Sequence, residues 1–89
     1  MPGSVALTLI GKPDCHLCED ARDVVSSVVA ELASDASAPS ITVRELSILD
    51  DAELHEKYVE EIPVLLLNGR VHNIWRVDAA RLRAAILQS

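Results

Sequence analysis

The 89-residue chain has no phenylalanine, one tyrosine (Tyr58) and one tryptophan (Trp75). Its core must therefore be aliphatic, built from Leu, Val, Ile and Ala. There are only two cysteines, Cys15 and Cys18, which excludes the several-bridge framework of small secreted domains. Cations are also scarce: 8 Lys and Arg against 14 Asp and Glu give a formal charge of −6. Nucleic-acid binding needs basic side chains that release phosphate counterions, and adsorption to an anionic membrane surface needs them as well. Neither partner is expected. No apolar run approaches the ~20 residues of a membrane-spanning helix. The apolar stretch at 5–10 is too short for a secretory leader and is not closed by an A-x-A site behind a basic N-terminus. The expected setting is cytoplasmic and the expected state a monomer.

What is present is a globular composition, 49% hydrophobic, in a chain long enough for one domain spanning 1–89. Residues 5–10, VALTLI, are short, apolar and followed by Gly11-Lys12-Pro13-Asp14. They read as a strand buried on both faces and ended by a turn. From about 15 to 32, Leu17, Ala21, Val24, Val25, Val28 and Leu32 recur at spacings that form one apolar stripe of a helix. A Ser- and Ala-rich loop over 33–40 leads to a second, more amphipathic strand at 41–46. Asp50 is expected to open a second helix, with Glu53 three residues on as in a capping box, and with Leu54 and Tyr58 facing inward.

Glu61-Ile62-Pro63 ends that helix, and 64–67 form another buried strand. Asn68-Gly69 predicts a two-residue type I′ hairpin, with a returning strand at 71–75. Asp78 is placed to cap a last helix whose inward residues are Ala79, Leu82, Ala85 and Ile86. The order is β-α-β-α-β-β-α. A right-handed parallel crossover followed by an antiparallel hairpin gives a four-stranded mixed sheet in a three-layer α/β sandwich.

The chemistry concentrates in Cys15-His16-Leu17-Cys18, where the first strand gives way to the first helix. Residues three apart share a helix face, so the two Cα atoms fall about 5–6 Å apart, within disulfide range. Cys15 stands at the helix N-terminus, where free N–H groups and the macrodipole stabilise a thiolate. Cys18, one turn in, is more shielded and can resolve a mixed disulfide. Lys12 adds positive potential, whereas Asp14, Glu19 and Asp20 oppose it. Solvent screens those exposed carboxylates, so the Cys15 thiol is expected to titrate below the roughly 8.5 of free cysteine.

A C-x-x-C pair is also half of a zinc site, but structural zinc takes four protein ligands. His16 points away from the pair on the helix, and His55 and His72 are isolated. A C-x-x-C accompanied by a βαβ pattern favours redox chemistry. Ile62-Pro63 has two readings. It is a helix terminator, or an X-Pro bond open to the cis form whose neighbouring backbone receives an extended thiol substrate by strand-like pairing. Trp75 at a strand end reads as a packing anchor, and Arg70 and Arg76 as solvated charges.

Taken together, the run from Gly11 to Cys18 after a first strand, Glu61-Ile62-Pro63 before the third, and Asn68-Gly69 in the hairpin resemble a glutaredoxin-like member of the thioredoxin superfamily. A C-x-L-C subset of bacterial glutaredoxin-like proteins resembles this chain more than the classical enzymes do. The resemblance covers nearly the whole chain and implies a thioredoxin-like fold and a small thiol–disulfide oxidoreductase. It implies Cys15 as nucleophile and Cys18 as resolving thiol, with Pro63 as a cis-proline facing them. It further implies that the Ile62 main chain binds the substrate's cysteine portion and that Lys12 lies near a glutathione carboxylate. No resident cofactor is implied. Glutathione would be a co-substrate, and the partners would be disulfide-containing proteins or low-molecular-weight thiols.

The chain departs from the family pattern at three places. His16-Leu17 replace a Pro-Tyr pair, Glu61 replaces a Thr, and Asn73-Ile74 stand where the family has Gly-Gly. The competing reading is a non-enzymatic thioredoxin-fold module that binds a metal through Cys15 and Cys18, or a protein partner.

Overall fold

The structure, a computed structural model, describes residues 3–89. Strand β1 (Ser4–Gly11) lies inside the sheet, whose order is β2-β1-β3-β4. Its apolar run suits that place: Val5, Leu7 and Leu9 are buried in one core cluster and Ile10 in a second. β1 pairs in parallel with β2 (Ser40–Ser47), from Ser4 opposite Ser40 to Gly11 opposite Ser47. On its other side it pairs antiparallel with β3 (Val64–Leu67), from Leu7 opposite Leu67 to Ile10 opposite Val64. β4 (Arg70–Ile74) closes the sheet antiparallel to β3.

Helices cover both faces, as expected. α1 (His16–Ala33) buries Cys18, Ala21, Val25, Val28 and Leu32. With α3 (Ala79–Leu87), which buries Leu82 and Ile86, it packs on Val5, Leu7, Leu9 and Leu65. α2 (Ala52–Tyr58) covers the opposite face, where Tyr58 and Ile48 meet Ile10 and Val64, with Leu54 and Ile62 packed against them. Apart from Tyr58, the two core layers are thus aliphatic.

Two local signals act as the sequence indicates. Asn68 and Gly69 have φ of 53° and 84°, the left-handed pair that a type I′ turn requires. Asn68 also docks the hairpin: its N–H donates to the Ala6 carbonyl (2.8 Å) and its Oδ1 accepts from the Ala6 N–H (2.9 Å). Asp78 caps α3, accepting from the Arg81 N–H at 3.0 Å.

Two expectations are corrected. The α2 cap is Asp51, not Asp50: the Asp51 carboxylate accepts from the N–H groups of Glu53 (2.8 Å) and Leu54 (3.4 Å). Asp50 is taken up in the preceding turn, its N–H donating to the Ser47 carbonyl. The returning strand ends at Ile74 rather than at 75, because Trp75 has φ 66° and cannot continue a strand. Asn73 and Ile74, which stand where the family has its glycine pair, lie in β4 as part of the expected returning strand. β4 also carries a bulge. Asn73 opposes Leu65 and Val71 opposes Leu66, leaving His72 as the extra residue.

Candidate active site

The register brings three chain segments to one end of the sheet. β1 ends at Gly11 and runs into the cysteine loop, β3 starts at Val64 opposite Ile10, and β4 ends at Ile74 opposite Val64. Cys15 and Cys18, Ile62-Pro63, and Trp75 are therefore neighbours at that end.

Asp14 adopts φ 57°, a left-handed turn that Asp tolerates better than most residues. Cys15 follows in extended conformation as the N-cap of α1. Its sulfur accepts from the Cys18 N–H at 3.2 Å, and its carbonyl accepts from the Glu19 N–H at 3.0 Å. The two cysteines form a disulfide with Cα atoms 5.2 Å apart. Cys18 is only 3% exposed, whereas Cys15 is half-buried, so the pair has an outer and an inner sulfur. With the bond reduced, the Cys18 amide and the helix N-terminus would both stabilise negative charge on the outer one.

Gly11 was missed by sequence reasoning. A Cβ there would lie 2.8 Å from the Cys18 sulfur and 3.2 Å from its Cβ, so the absent side chain makes room for the inner cysteine against β1. Lys12 is exposed and lines a cavity of about 280 Å³ between α1 and the end of β2, together with Gly11, Cys18, Arg22, Glu45 and Ser47. Arg22 and Glu45 are tied together there at 2.7 Å, and the carboxylate raises the guanidinium's proton affinity.

The Ile62–Pro63 peptide bond is cis and Pro63 is buried. The Ile62 N–H donates to the Tyr58 carbonyl at 3.1 Å. Among the described residues no backbone N–H donates to the Ile62 carbonyl. The Pro63 carbonyl accepts from the Trp75 N–H at 2.8 Å, and the Trp75 indole N–H donates to the Glu60 carbonyl at 3.1 Å. Trp75 is thus anchored at both ends yet 52% exposed. It is held in place without being covered, unlike the packing anchor that its position at a strand end suggested.

The histidines do not join this cluster. The His16 side chain is fully exposed, 3.9 Å from Glu19, and His55 is exposed on α2. His72 lies in the β4 bulge with a buried, unpartnered Nε2, and burial followed by the nearby Arg81 charge holds its pKa below the usual value. Among the described residues, no three His, Cys, Asp or Glu side chains gather as a metal site. A metal on Cys15 and Cys18 would need ligands from a second molecule. Among the same residues, no helix is long and apolar enough to cross a membrane.

Comparison with known proteins agrees with this architecture. Residues 6–87 match the model of the glutaredoxin-like domain (DUF836). The uncharacterized proteins Rv0508 of Mycobacterium tuberculosis and Mb0520 of Mycobacterium bovis are each 31% identical over 81 residues, covering 91% of this chain and 81% of theirs. Among solved structures, protein XcR50 from X. campestris superposes with a TM-score of 0.70 at 32% identity, over 93% of this chain and 97% of that one. A mutant thioredoxin from Halobacterium salinarum NRC-1 superposes with a TM-score of 0.61 at 21% identity, over 97% and 74%. At that identity the second likeness shows the fold alone, which is thioredoxin-like. Together with the family match, the C-x-x-C pair that follows β1 supports a redox-type function.

Proposed function

The chain belongs to the glutaredoxin-like family (DUF836), and on that premise we propose that it is a thiol–disulfide oxidoreductase with Cys15 as nucleophile and Cys18 as resolving thiol. One observation carries the reading: Cys15 caps α1 with its sulfur on the Cys18 amide, at a Cα separation that lets the pair open and close a disulfide.

In the reduced protein the Cys15 thiolate attacks one sulfur of a substrate disulfide. A Cys15–substrate mixed disulfide forms, and the other substrate sulfur leaves as a thiolate that takes up a proton. Cys18 then loses its proton to solvent and attacks the Cys15 sulfur. The second substrate thiol is released, leaving the Cys15–Cys18 disulfide. Two electrons pass from protein to substrate. The burial of Cys18 keeps incoming disulfides on Cys15 and reserves Cys18 for the internal step. The Ile62 carbonyl, unpaired just before β3, would accept from the N–H of the substrate's cysteine. Lys12, at the cavity on the β2 side of the pair, would meet a carboxylate of a substrate that enters there.

The test is a redox titration of the pair in glutathione buffers, read by thiol alkylation and mass. A two-electron transition within roughly −270 to −120 mV is expected. A glutathione adduct on Cys15 during the titration would identify glutathione as a co-substrate. Absence of any reversible intramolecular disulfide would overturn the assignment.

A further inference from the structure

Between α1 and the β4–α3 connection lies a groove of about 180 Å³, lined on the helix side from Leu17, the residue between the two cysteines in sequence, to Val24. Leu17 and Val24 form one wall and Trp75 and Val77 the other, with Asp20 and Arg76 as its charged lining residues. Trp75 is joined to Pro63 through its main-chain N–H and to Glu60 through its indole. The groove is thus built from the same segments as the reactive pair.

Its walls are apolar and its surroundings are acidic. Glu60 and Glu61 stand immediately before Ile62-Pro63, Asp14 immediately before Cys15, and Glu19 and Asp20 follow Cys18 on exposed positions of α1. The opposing cations are Arg76 in the groove, Lys12 before the cysteines and Lys57, whose ammonium lies over the Tyr58 ring. Among the described residues, neither Asp20 nor Arg76 is in an ion pair. A net negative field rejects an anionic thiol and favours a cationic one, both in encounter rate and in the bound state. Glutathione, with two carboxylates and one ammonium group, is net anionic.

We propose that the groove beside Trp75 selects polypeptide disulfides whose reacting cysteine is followed by an apolar side chain and flanked by Lys or Arg. The apolar side chain packs between Leu17 and the indole face, where a rigid aromatic gives contact area at low entropic cost. The flanking cations meet Asp20 and the Glu60-Glu61 pair. This rests on the thiol–disulfide reading and deepens it by naming the substrate class.

The experiment uses the reduced wild-type protein and three probes. They are neutral hydroxyethyl disulfide, the disulfide-linked dimer of acetyl-Lys-Cys-Leu-Lys-amide, and the same dimer with both Lys replaced by Glu. Each rate constant is divided by that of the same probe with dithiothreitol, which removes intrinsic reactivity. The cationic peptide is expected to exceed the anionic one by about tenfold or more at low salt. The ratio should fall toward one near 1 M salt, where the Debye length shrinks to about 3 Å. Replacing the peptide Leu by Gly should lower the rate about threefold or more, the order of a lost apolar contact. Trp75 is the chain's single tryptophan, so its fluorescence reports the groove directly. A cysteine-free acetyl-Lys-Ser-Leu-Lys-amide should change it saturably.

Reduction of hydroxyethyl disulfide with no preference for the cationic peptide, or with the reverse preference, would overturn this inference and leave the proposed function standing. Reduction of no probe at all would overturn the proposed function, and the inference with it.

Discussion

The Cβ that Gly11 lacks would stand 2.8 Å from the sulfur of Cys18. Strand and disulfide are therefore in contact through an absent side chain. In the oxidised protein that sulfur is tethered to Cys15 and has nowhere to go. In the reduced protein it can rotate away. Gly11→Ala should therefore penalise the disulfide more than the dithiol and raise the reduction midpoint. The expected shift is about 20–40 mV, the equivalent of ~1–2 kcal/mol of overpacking. Alkylation-based titration of the two proteins side by side measures it, and equal midpoints would show that the strand yields instead.

The two cysteines should behave unequally when replaced. Cys15→Ser should abolish disulfide reduction, because Cys18 is too buried to act as first nucleophile. Cys18→Ser should accumulate a mixed disulfide visible as a mass adduct on Cys15. Turnover surviving in Cys15→Ser would assign the outer role to the wrong sulfur.

With the bond reduced, thiolate absorbance against pH should place the Cys15 titration below the roughly 8.5 of free cysteine. The Cys18 N–H and the helix N-terminus favour the anion, and Asp14, Glu19 and Asp20 oppose it only across solvent. A titration at or above the free value would mean that those carboxylates outweigh the helix end.

Burial, then the Arg81 charge, keeps the pKa of His72 below its usual value of about 6.5 in the folded protein. Above that usual value the residue is neutral whether folded or not and contributes no pH dependence. As pH falls below it, the unfolded chain takes up the proton first, so stability should drop until the lowered folded value is passed. A proton on Nε2 would also be buried without an acceptor. Urea midpoints between pH 7 and pH 5 should fall more steeply for the wild type than for His72→Gln. Parallel curves would remove His72 from the account.

The helix cap distinguishes adjacent aspartates. Asp51→Ala should cost about 0.5–2 kcal/mol, the usual loss on removing an N-cap, because its carboxylate serves two free N–H groups. Asp50→Ala should cost much less, since the Asp50 contribution to the turn is its main-chain N–H. Denaturant unfolding of the pair checks this, and equal losses would contradict the cap assignment.

Local chemistry made most of the scaffold legible. The apolar run before Gly11, the stripe from Ala21 to Leu32, Asn68-Gly69 and the cap at Asp78 each carry their structural meaning within a few residues. The C-x-x-C pair could be placed at a helix start for the same reason. What was not legible depends on tertiary partners. Asp50 and Asp51 are equivalent as letters, and only the bond from the Asp50 N–H to Ser47 separates them. The left-handed turn at Trp75 is held by Pro63 and Glu60, residues distant in the chain. No periodicity reveals that a bulky aromatic will adopt φ 66°. Gly11 likewise looks like turn punctuation until Cys18 is packed against it.

The position of β1 has a consequence for how the chain assembles. The strand nearest the N-terminus occupies the interior of the sheet, and its antiparallel neighbour is β3, at Val64–Leu67. A nascent chain can form the β1-α1-β2 crossover early, but β1 stays open along one side until those later residues leave the ribosome. The layer over Leu65 is completed later still, when Leu82 and Ile86 arrive with α3. During that interval the apolar β1 is an unsatisfied strand edge, available to any extended segment nearby. Synthesis speed and chaperone access over residues 48–87 should therefore influence the yield of native protein more than the same factors over the first half.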